Sequence, residues 1–447
     1  EPTMRRFKNF VRDFVHKNLV PLESTTDLTV ETWLSKTNYP LWRREALEKT
    51  AASGFVRSDP KYRRCKSFIK DETYPSYKHA RAINSRTDEF KTMVGPVFKA
   101  IEDVVFKLPW FIKKIPIASR PNYIYDRVFR SGIKFMATDY TSFEAGFSRQ
   151  LMHACEFVLY KYMTQNLPNA TEFAKVLDET LAGKNVCEFK RFISIVMARR
   201  MSGEMCTSLG NGFTNLMITL FFAHEMGIDI DGVVEGDDGL FSSSTGKYPS
   251  SSDYAKLGMK IKIELFDDLA EASFCGIVFS VKDRVNIVDP IDVLSNFGWT
   301  SYQYVHAKKT KKMALLRCRS LSLKHQYPGC PIVSALADYG LRVTRSICLE
   351  SILKKDRSMS LWERDQLVLA IKDEKKLKDI PVGDDSRLLM ERKFGVSLEA
   401  QARVEAQLAT LTSIQPLDFP CLDLLINDDV QHYTLNYVKA GTDSFDQ

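Results

Sequence analysis

Residues 228–241 read IDIDGVVEGDDGLF, and no other stretch of the chain restricts the fold as strongly. Two apolar pairs, Val233–Val234 and Leu240–Phe241, flank Gly236-Asp237-Asp238-Gly239. The pairs predict two short buried strands, and the Asp-Gly step between them is the commonest tight-hairpin signal. Glu235, Asp237 and Asp238 then sit together on a turn held between buried strands. Like charges this close, beside an apolar core, repel and are poorly solvated. A divalent cation relieves that cost. Mg²⁺ is the natural ion, because it takes hard oxygen ligands from one or two carboxylates plus substrate phosphates. An ordinary exposed Asp-Asp-Gly turn is the competing reading, and the upstream stretches decide between them.

Residues 131–145 read SGIKFMATDYTSFEA. Ile133, Phe135 and Ala137 alternate, so a strand runs into Asp139, and Glu144 follows past a turn. A strand-end carboxylate beside the hairpin would complete a metal site from two separate strands. A helix is expected over Phe147–Met163. Ser202 and Gly203 make a flexible turn, followed by a helix with Leu209, Phe213, Leu216 and Leu220 on an apolar stripe. Thr207 and Asn211, four apart, share one face near its start. Such a pair can hydrogen-bond a sugar, or serve as a cap and a satisfied core amide.

Lys66, Lys70, Lys78, Arg81 and Arg86 are interleaved with Phe68, Tyr74 and Tyr77. Their alternation suggests a strand pair, which either lines a groove for phosphates or is simply a soluble basic hairpin. Helices are also expected around Phe7–Val15, Tyr39–Ala52, Ile332–Val343, Leu361–Ile371 and Leu398–Leu411. Short strands are expected at Met259–Leu265, Ser273–Ser280 and Arg284–Val288. Another helix gathers Lys308, Lys309, Lys311, Lys312, Arg317, Arg319 and Lys324 on or beside it.

A net charge of +7 over 447 residues is compatible with a polyanionic partner. Nine cysteines without a C-x-x-C pair or a zinc-spaced His/Cys cluster read as reduced thiols of a cytosolic environment rather than a disulfide framework. No apolar run reaches the length of a membrane span, and no signal peptide is expected in this stretch. The first residue is Glu1, so the chain is expected to be a segment of a longer product.

In this order the pieces resemble the palm of viral RNA-dependent RNA polymerases: Asp139 and Glu144, then Ser202, Gly203, Thr207 and Asn211 as S-G-x-x-x-T-x-x-x-N, then Gly236, Asp237 and Asp238. The wording SGEMCTSLGN is similar to positive-strand RNA viruses of the tombus-like and noda-like kind. The basic stretch resembles the family's fingers motif, and Met259–Glu264 and Phe274-Cys275-Gly276 stand where it has two later palm motifs.

The resemblance implies an α+β right-hand polymerase, with an antiparallel palm sheet flanked by helices and closed by fingers extensions. Residues 1–130 would form fingers and fingertips, 131–160 palm, 161–200 a fingers insertion, 201–290 palm, and 291–447 a helical thumb and tail. The implied chemistry is RNA-templated nucleotidyl transfer with two Mg²⁺ (or Mn²⁺) ions on Asp139, Asp237 and Asp238. Glu144, Ser202, Gly203, Thr207 and Asn211 would meet the nucleotide's ribose. Lys70, Lys78 and Arg81 would meet its phosphates, while Lys66, Arg86, Lys308 and Lys312 would touch RNA. The later palm lysine falls on Lys260 or Lys262, read as facing opposite ways, with Lys260 preferred.

Many relatives carry Asp where this chain has Glu144, which keeps the charge but adds a methylene. The implied partners are template and nascent RNA, ribonucleoside triphosphates and other replicase proteins. The implied setting is the host cytoplasm, in membrane-associated complexes anchored by a region outside this chain. A reverse transcriptase should lack the Ser-Gly…Thr…Asn helix and usually carries an aromatic residue where Gly236 stands. A non-catalytic RNA-binding scaffold has no reason to keep three carboxylates in one apolar site.

Overall fold

The computed structural model describes residues 2–37, 39, 41–54, 59–70, 79–300, 304–349, 368, 371–372, 377 and 379–425. Packing divides the chain into two units. One comprises Glu1–Glu72, His79–Ile115 and Ile124–Cys275; the described part of the other comprises Pro116–Tyr123 and the chain from Gly276 onward.

Through residue 266 the elements are α1 (Pro2–Asn18), α2 (Val30–Ser35), α3 (Leu41–Ala52), β1 (Arg64–Ile69), β2 (Ala82–Arg86), α4 (Asp88–Val105), α5 (Arg120–Val128), β3 (Phe135–Tyr140), α6 (Phe143–Gly146), α7 (Arg149–Ala154), α8 (Glu156–Thr164), α9 (Ala170–Thr180), β4 (Lys184–Glu188), β5 (Ile193–Met197), α10 (Thr207–Glu225), β6 (Ile230–Glu235), β7 (Asp238–Ser243), α11 (Ser251–Ala255) and β8 (Ile261–Phe266). The basic stretch does form a strand pair, with β1 antiparallel to β2 and Lys66 opposite Ser85. That pair belongs to a sheet of order β2-β1-β4-β5, in which β1 and β4 run parallel. A second sheet, wholly antiparallel, has the order β6-β7-β3-β8. The architecture is α+β.

Helix α1 buries Phe7, Val11, Phe14 and Val15, the expected 3.6-residue stripe. It packs on α7, α8 and α10, with the Phe7 ring 5.3 Å from that of Phe221. The helix expected over Phe147–Met163 is broken at Cys155, whose φ of −121° and ψ of −89° separate α7 from α8. The break turns Glu156 inward to meet Arg200. Helix α10 has no single apolar stripe. It is buried nearly all round, because apolar side chains face it from several directions and Asn211, Thr214, Asn215 and Thr219 are buried as well.

From Gly276 onward the second unit contains the antiparallel strands β9 (Val278–Ser280) and β10 (Val285–Ile287), shorter than the runs that predicted them. The helices α12 (Pro290–Asn296), α13 (Lys309–Gln326), α14 (Val333–Val343), α15 (Asp384–Phe394) and α16 (Leu398–Thr410) follow. The helix expected over 361–371 lies almost entirely outside the described residues. The cations of α13 do not share one face. Arg317 donates to the carbonyls of Leu341 and Thr344, and Lys324 is buried against Asp338 and Asp379. Lys308, at its N-cap, and Lys312 are exposed. Among the described residues, no helix is long and apolar enough to cross a membrane.

Candidate active site

Strands β6 and β7 form the expected hairpin, but the turn is Gly236-Asp237, with Glu235 paired to Asp238. The Asp238-Gly239 step that predicted the turn lies inside β7. Gly236 has φ of +59°, the conformation that a two-residue hairpin of type II′ requires at its first central position. Among the described residues a side chain there would meet no other atom within 4 Å, so the need for glycine comes from the backbone.

Thr138 pairs with Gly239, and one further step along that register sets Asp139 beside Asp238. On its other side Asp139 is opposite Lys262. Glu235, Asp238, Asp139 and Lys262 therefore form one row across the end of the sheet, with Asp237 projecting from the turn above it. Antiparallel partners share a sheet face, so the row brings like charges together. Burial raises the Asp237 carboxyl above the usual carboxylate range, and Asp139 raises it further while Arg81 works the other way. Asp238 is pushed up to about 6, first by burial and then by Asp237, with Asp139 and Glu235 adding to the effect.

A carboxyl whose pKa is raised by folding stabilises most below its unfolded pKa, and loses that contribution as pH rises through its folded pKa. Without metal, the contribution of Asp238 is full below roughly pH 3.9 and gone above about 6. In EDTA, thermal unfolding is expected to show a loss of stability between about pH 4 and about pH 6 that Asp238→Asn reduces. Mg²⁺ should stabilise the wild type more at the higher pH, because metal ligands must be deprotonated. A variant with an undiminished pH dependence would remove the argument.

Beyond β3, Ser142 takes a positive φ of 53° and turns the chain into α6, which presents Glu144. Asn211 Nδ2 lies 3.5 Å from Glu144 Oε1. Burial raises the Glu144 pKa, while Arg200 and hydrogen bonds from Asn211 and Ser202 oppose the shift. Thr207 Oγ1 and Asn211 Oδ1 are buried and have no hydrogen-bond partner among the described residues. The Ser202–Gly203 turn is fixed against β2, where Asn84 N donates to Ser202 O at 2.7 Å. Gly203 has φ of +98°, and a side chain on it would reach to 3.2 Å from the Asn84 carbonyl.

The fold thus gathers Asp139, Asp237, Asp238, Glu144, Ser202, Gly203, Thr207 and Asn211 in one region. Lys66 and Lys70 are exposed on or beside β1, and the Lys70 amide donates to the Arg81 carbonyl. Lys78 lies outside the described residues. Arg86 does not fit an RNA contact. It is buried, and its guanidinium bonds Glu204, Asn185 and the Tyr62 and Arg63 carbonyls; a cation satisfied on every side inside the protein has no donor left for a phosphate. Lys260 and Lys262, two apart, do not face opposite ways, because that spacing returns to the same side of a strand. Register separates them instead. Lys260 precedes β8, with its carbonyl bonded to Thr141 N, whereas Lys262 is the residue opposite Asp139 and also bonds Glu264.

Three neighbouring groups escaped the sequence reading. The side chains of Glu156 and Arg200 form a fully buried ion pair, over which α10 passes at Gly210. A Cβ there would come within 2.5 Å of both charged groups. Asn215 lies one turn beyond Asn211 on the same helix face. Its spacing was a usable signal; the pairing of Glu156 with Arg200 had none.

Among the described residues, no three acids, histidines or cysteines are close enough to enclose an ion. The carboxylates nevertheless supply the donors and the unrelieved repulsion that Mg²⁺ suits, and this ion is usually held by one or two carboxylates plus substrate phosphates rather than by an all-protein cage.

Comparison with known proteins agrees with the geometry. The family described as viral RNA-dependent RNA polymerase matches residues 91–338. The chain is 25% identical over 205 residues to an RNA-directed RNA polymerase of striped jack nervous necrosis virus, covering 44% of this chain and 20% of that protein. It is 26% identical over 274 residues to that of greasy grouper nervous necrosis virus, covering 59% and 26%. The corresponding protein of Atlantic halibut nervous necrosis virus is 25% identical over 208 residues, covering 44% and 21%. The chain therefore spans between a fifth and about a quarter of the length of these relatives. Because the family match extends over more than half of the sequence and takes in all three motifs, the chain belongs to the viral RNA-dependent RNA polymerase family.

Proposed function

We propose that this chain copies RNA into RNA, joining ribonucleoside triphosphates to an RNA 3′-hydroxyl during replication of a positive-strand RNA virus genome. The observation that carries the reading is the meeting of Asp139, Asp237 and Asp238 beside the Glu144–Asn211 contact. In the right-hand fold implied by the family, the sheet β6-β7-β3-β8 with α10 is the palm. The sheet β2-β1-β4-β5 belongs to the fingers, and the helices from α12 onward form the thumb. Residues 131–160 and 201–290 then supply most of the palm. We place the work in the host cytoplasm, in membrane-associated replication complexes with other viral proteins.

Asp139, Asp237 and Asp238 would hold two Mg²⁺ or Mn²⁺ ions. Bound there, the metals supply activation of the 3′-hydroxyl and neutralisation of the triphosphate and its leaving group. Arg81 and Lys70 meet the triphosphate, with Lys78 as their neighbour in sequence. Lys308 and Lys312 meet the RNA backbone. Lys262, as the lysine opposite Asp139, is better placed than Lys260 to donate a proton.

Glu144 accepts from Asn211 Nδ2 and so fixes which end of the amide faces the nucleotide. A ribose 2′-hydroxyl can then donate to Asn211 Oδ1 and accept from the Thr207 hydroxyl. A deoxynucleotide leaves both unpaired and buried, a cost of about 1–3 kcal/mol for each such group. Asn211→Ala is therefore expected to lower the preference for ribo- over deoxynucleotides by roughly 10–100-fold, measured as the ratio of kcat/KM for the two substrates. An unchanged ratio would show that these atoms do not read the sugar. The test of the whole reading is labelled ribonucleotide incorporation on a short RNA template with Mg²⁺ or Mn²⁺, with and without a primer. Absence of template-dependent product from folded, RNA-binding protein would overturn it.

A further inference from the structure

Helix α10 bears another polar side chain beyond Thr207 and Asn211. Asn215 is fully buried, and its Nδ2 donates to the carbonyl of Gly236 at 3.2 Å and to that of Asp238 at 3.0 Å. These acceptors stand on either side of Asp237. Helix and turn approach closely at this point, since a Cβ on Gly212 would lie 3.6 Å from the Gly236 nitrogen. Asn215 Oδ1 is buried without a partner among the described residues. The orientation of the amide is therefore set by its donors, because a flip would turn the oxygen against two carbonyls.

We propose that Asn215 is a positioning residue that fastens the Asp237 turn to α10. The proposal rests on the polymerase reading and deepens it. A two-residue turn at the tip of a hairpin has few neighbours to fix it, and a carboxylate at its apex swings with the backbone. Two bonds from one rigid side chain stop that motion at the carbonyls before and after Asp237. The same helix carries Asn211 one turn earlier, so the group that meets the sugar and the carboxylate that serves the chemistry share one frame. Both bonds go to backbone atoms, so the fastening does not depend on the side chains of the turn.

The alternative is a buried amide that only stabilises the core. Asn215→Asp separates the two, since it keeps the shape and removes both amide N–H donors, leaving at most the single O–H of a protonated carboxyl. Asn215→Ser keeps one donor and provides a second variant should Asn215→Asp not fold. In the full chain, Asn215→Asp is expected to lower kcat for ribonucleotide incorporation by about 10–100-fold, with the KM for the nucleotide changed less than about threefold. Hydrogen exchange at the amides of residues 235–239 should accelerate while that of α13 stays as in the wild type. Asn215→Ser should fall between the two.

Wild-type kcat and turn exchange in both variants would overturn the proposal. So would a loss of kcat that merely follows the unfolded fraction. A wild-type chain that incorporates no ribonucleotide overturns the polymerase reading and the catalytic role of Asn215 with it, whereas an active wild type matched by its variants overturns the role of Asn215 alone.

Discussion

Asp237→Ala should abolish RNA synthesis, with a loss of at least about 10³-fold in kcat, while the folded state and RNA binding stay close to those of the wild type. Asp237 stands at the apex of the β6–β7 turn, outside the strand pairing, where its surface stays open although neighbouring atoms crowd out part of the carboxyl's hydration. Its removal leaves no cavity and breaks no ladder hydrogen bond, so little stability is at risk. It even relieves charge repulsion, because Asp237 raises the pKa of Asp238. On the proposed reading the carboxylate is needed for chemistry, since two acids would not replace three in holding and aligning divalent ions against a triphosphate. Incorporation assays, thermal unfolding and RNA titration on one preparation separate these effects. Retained synthesis would sink the metal assignment, and a collapse of stability would show that the turn has a structural role not visible in its contacts.

The largest effect on stability is expected at Glu156. Its side chain and that of Arg200 are both fully buried. Burial works against the Arg200 charge, but Glu156, with Cys206 and Tyr160, more than offsets it and holds its pKa well above the ordinary value. Arg200 also lies over the Phe147 ring, 4.7 Å from its centre. Glu156→Ala leaves that guanidinium buried without its counter-charge, which costs about 3–5 kcal/mol. Replacing both partners together by apolar residues of similar volume should recover much of the loss. Chemical denaturation of the single and double variants measures this directly, and a double variant as unstable as the single one would contradict it. Arg200 also opposes the burial-driven rise of the Glu144 pKa, so the double variant should be stable yet impaired toward the nucleotide.

The acidic hairpin was legible because its signals are local. Apolar pairs on either side of a glycine-bearing turn define two buried strands, and the acids between them have few places to go. The location of the turn was misjudged by two residues because Asp-Gly is the commoner hairpin signal, whereas here Gly236 supplies the positive φ. The helices α1, α3, α14 and α16 were visible from period and end signals. Asn211 and Thr207 shared a face by spacing alone.

Hidden features depended on partners distant in the chain. Arg86 had the sequence context of a phosphate ligand, but Glu204 draws it inside. The break at Cys155 exists to bring Glu156 to Arg200, a pairing no local pattern announces. The parallel joining of β1 to β4 was likewise hidden, because nothing in either strand names the other.

The strand order also has a consequence for a chain emerging from the ribosome. Thr138 and Gly239, neighbours in the sheet, are 101 residues apart in sequence. Arg64 and Glu188, which join the other sheet, are 124 apart. Strand β3 therefore leaves the exit tunnel well before either of its partners exists, with Phe135 and Met136 uncovered. Such non-local pairing folds slowly and exposes sticky intermediates. Translation that stops short of β6 yields a product with Asp139 but neither Asp237 nor Asp238, so the proposed catalytic competence should arise abruptly, late in synthesis, rather than accumulate as the chain lengthens.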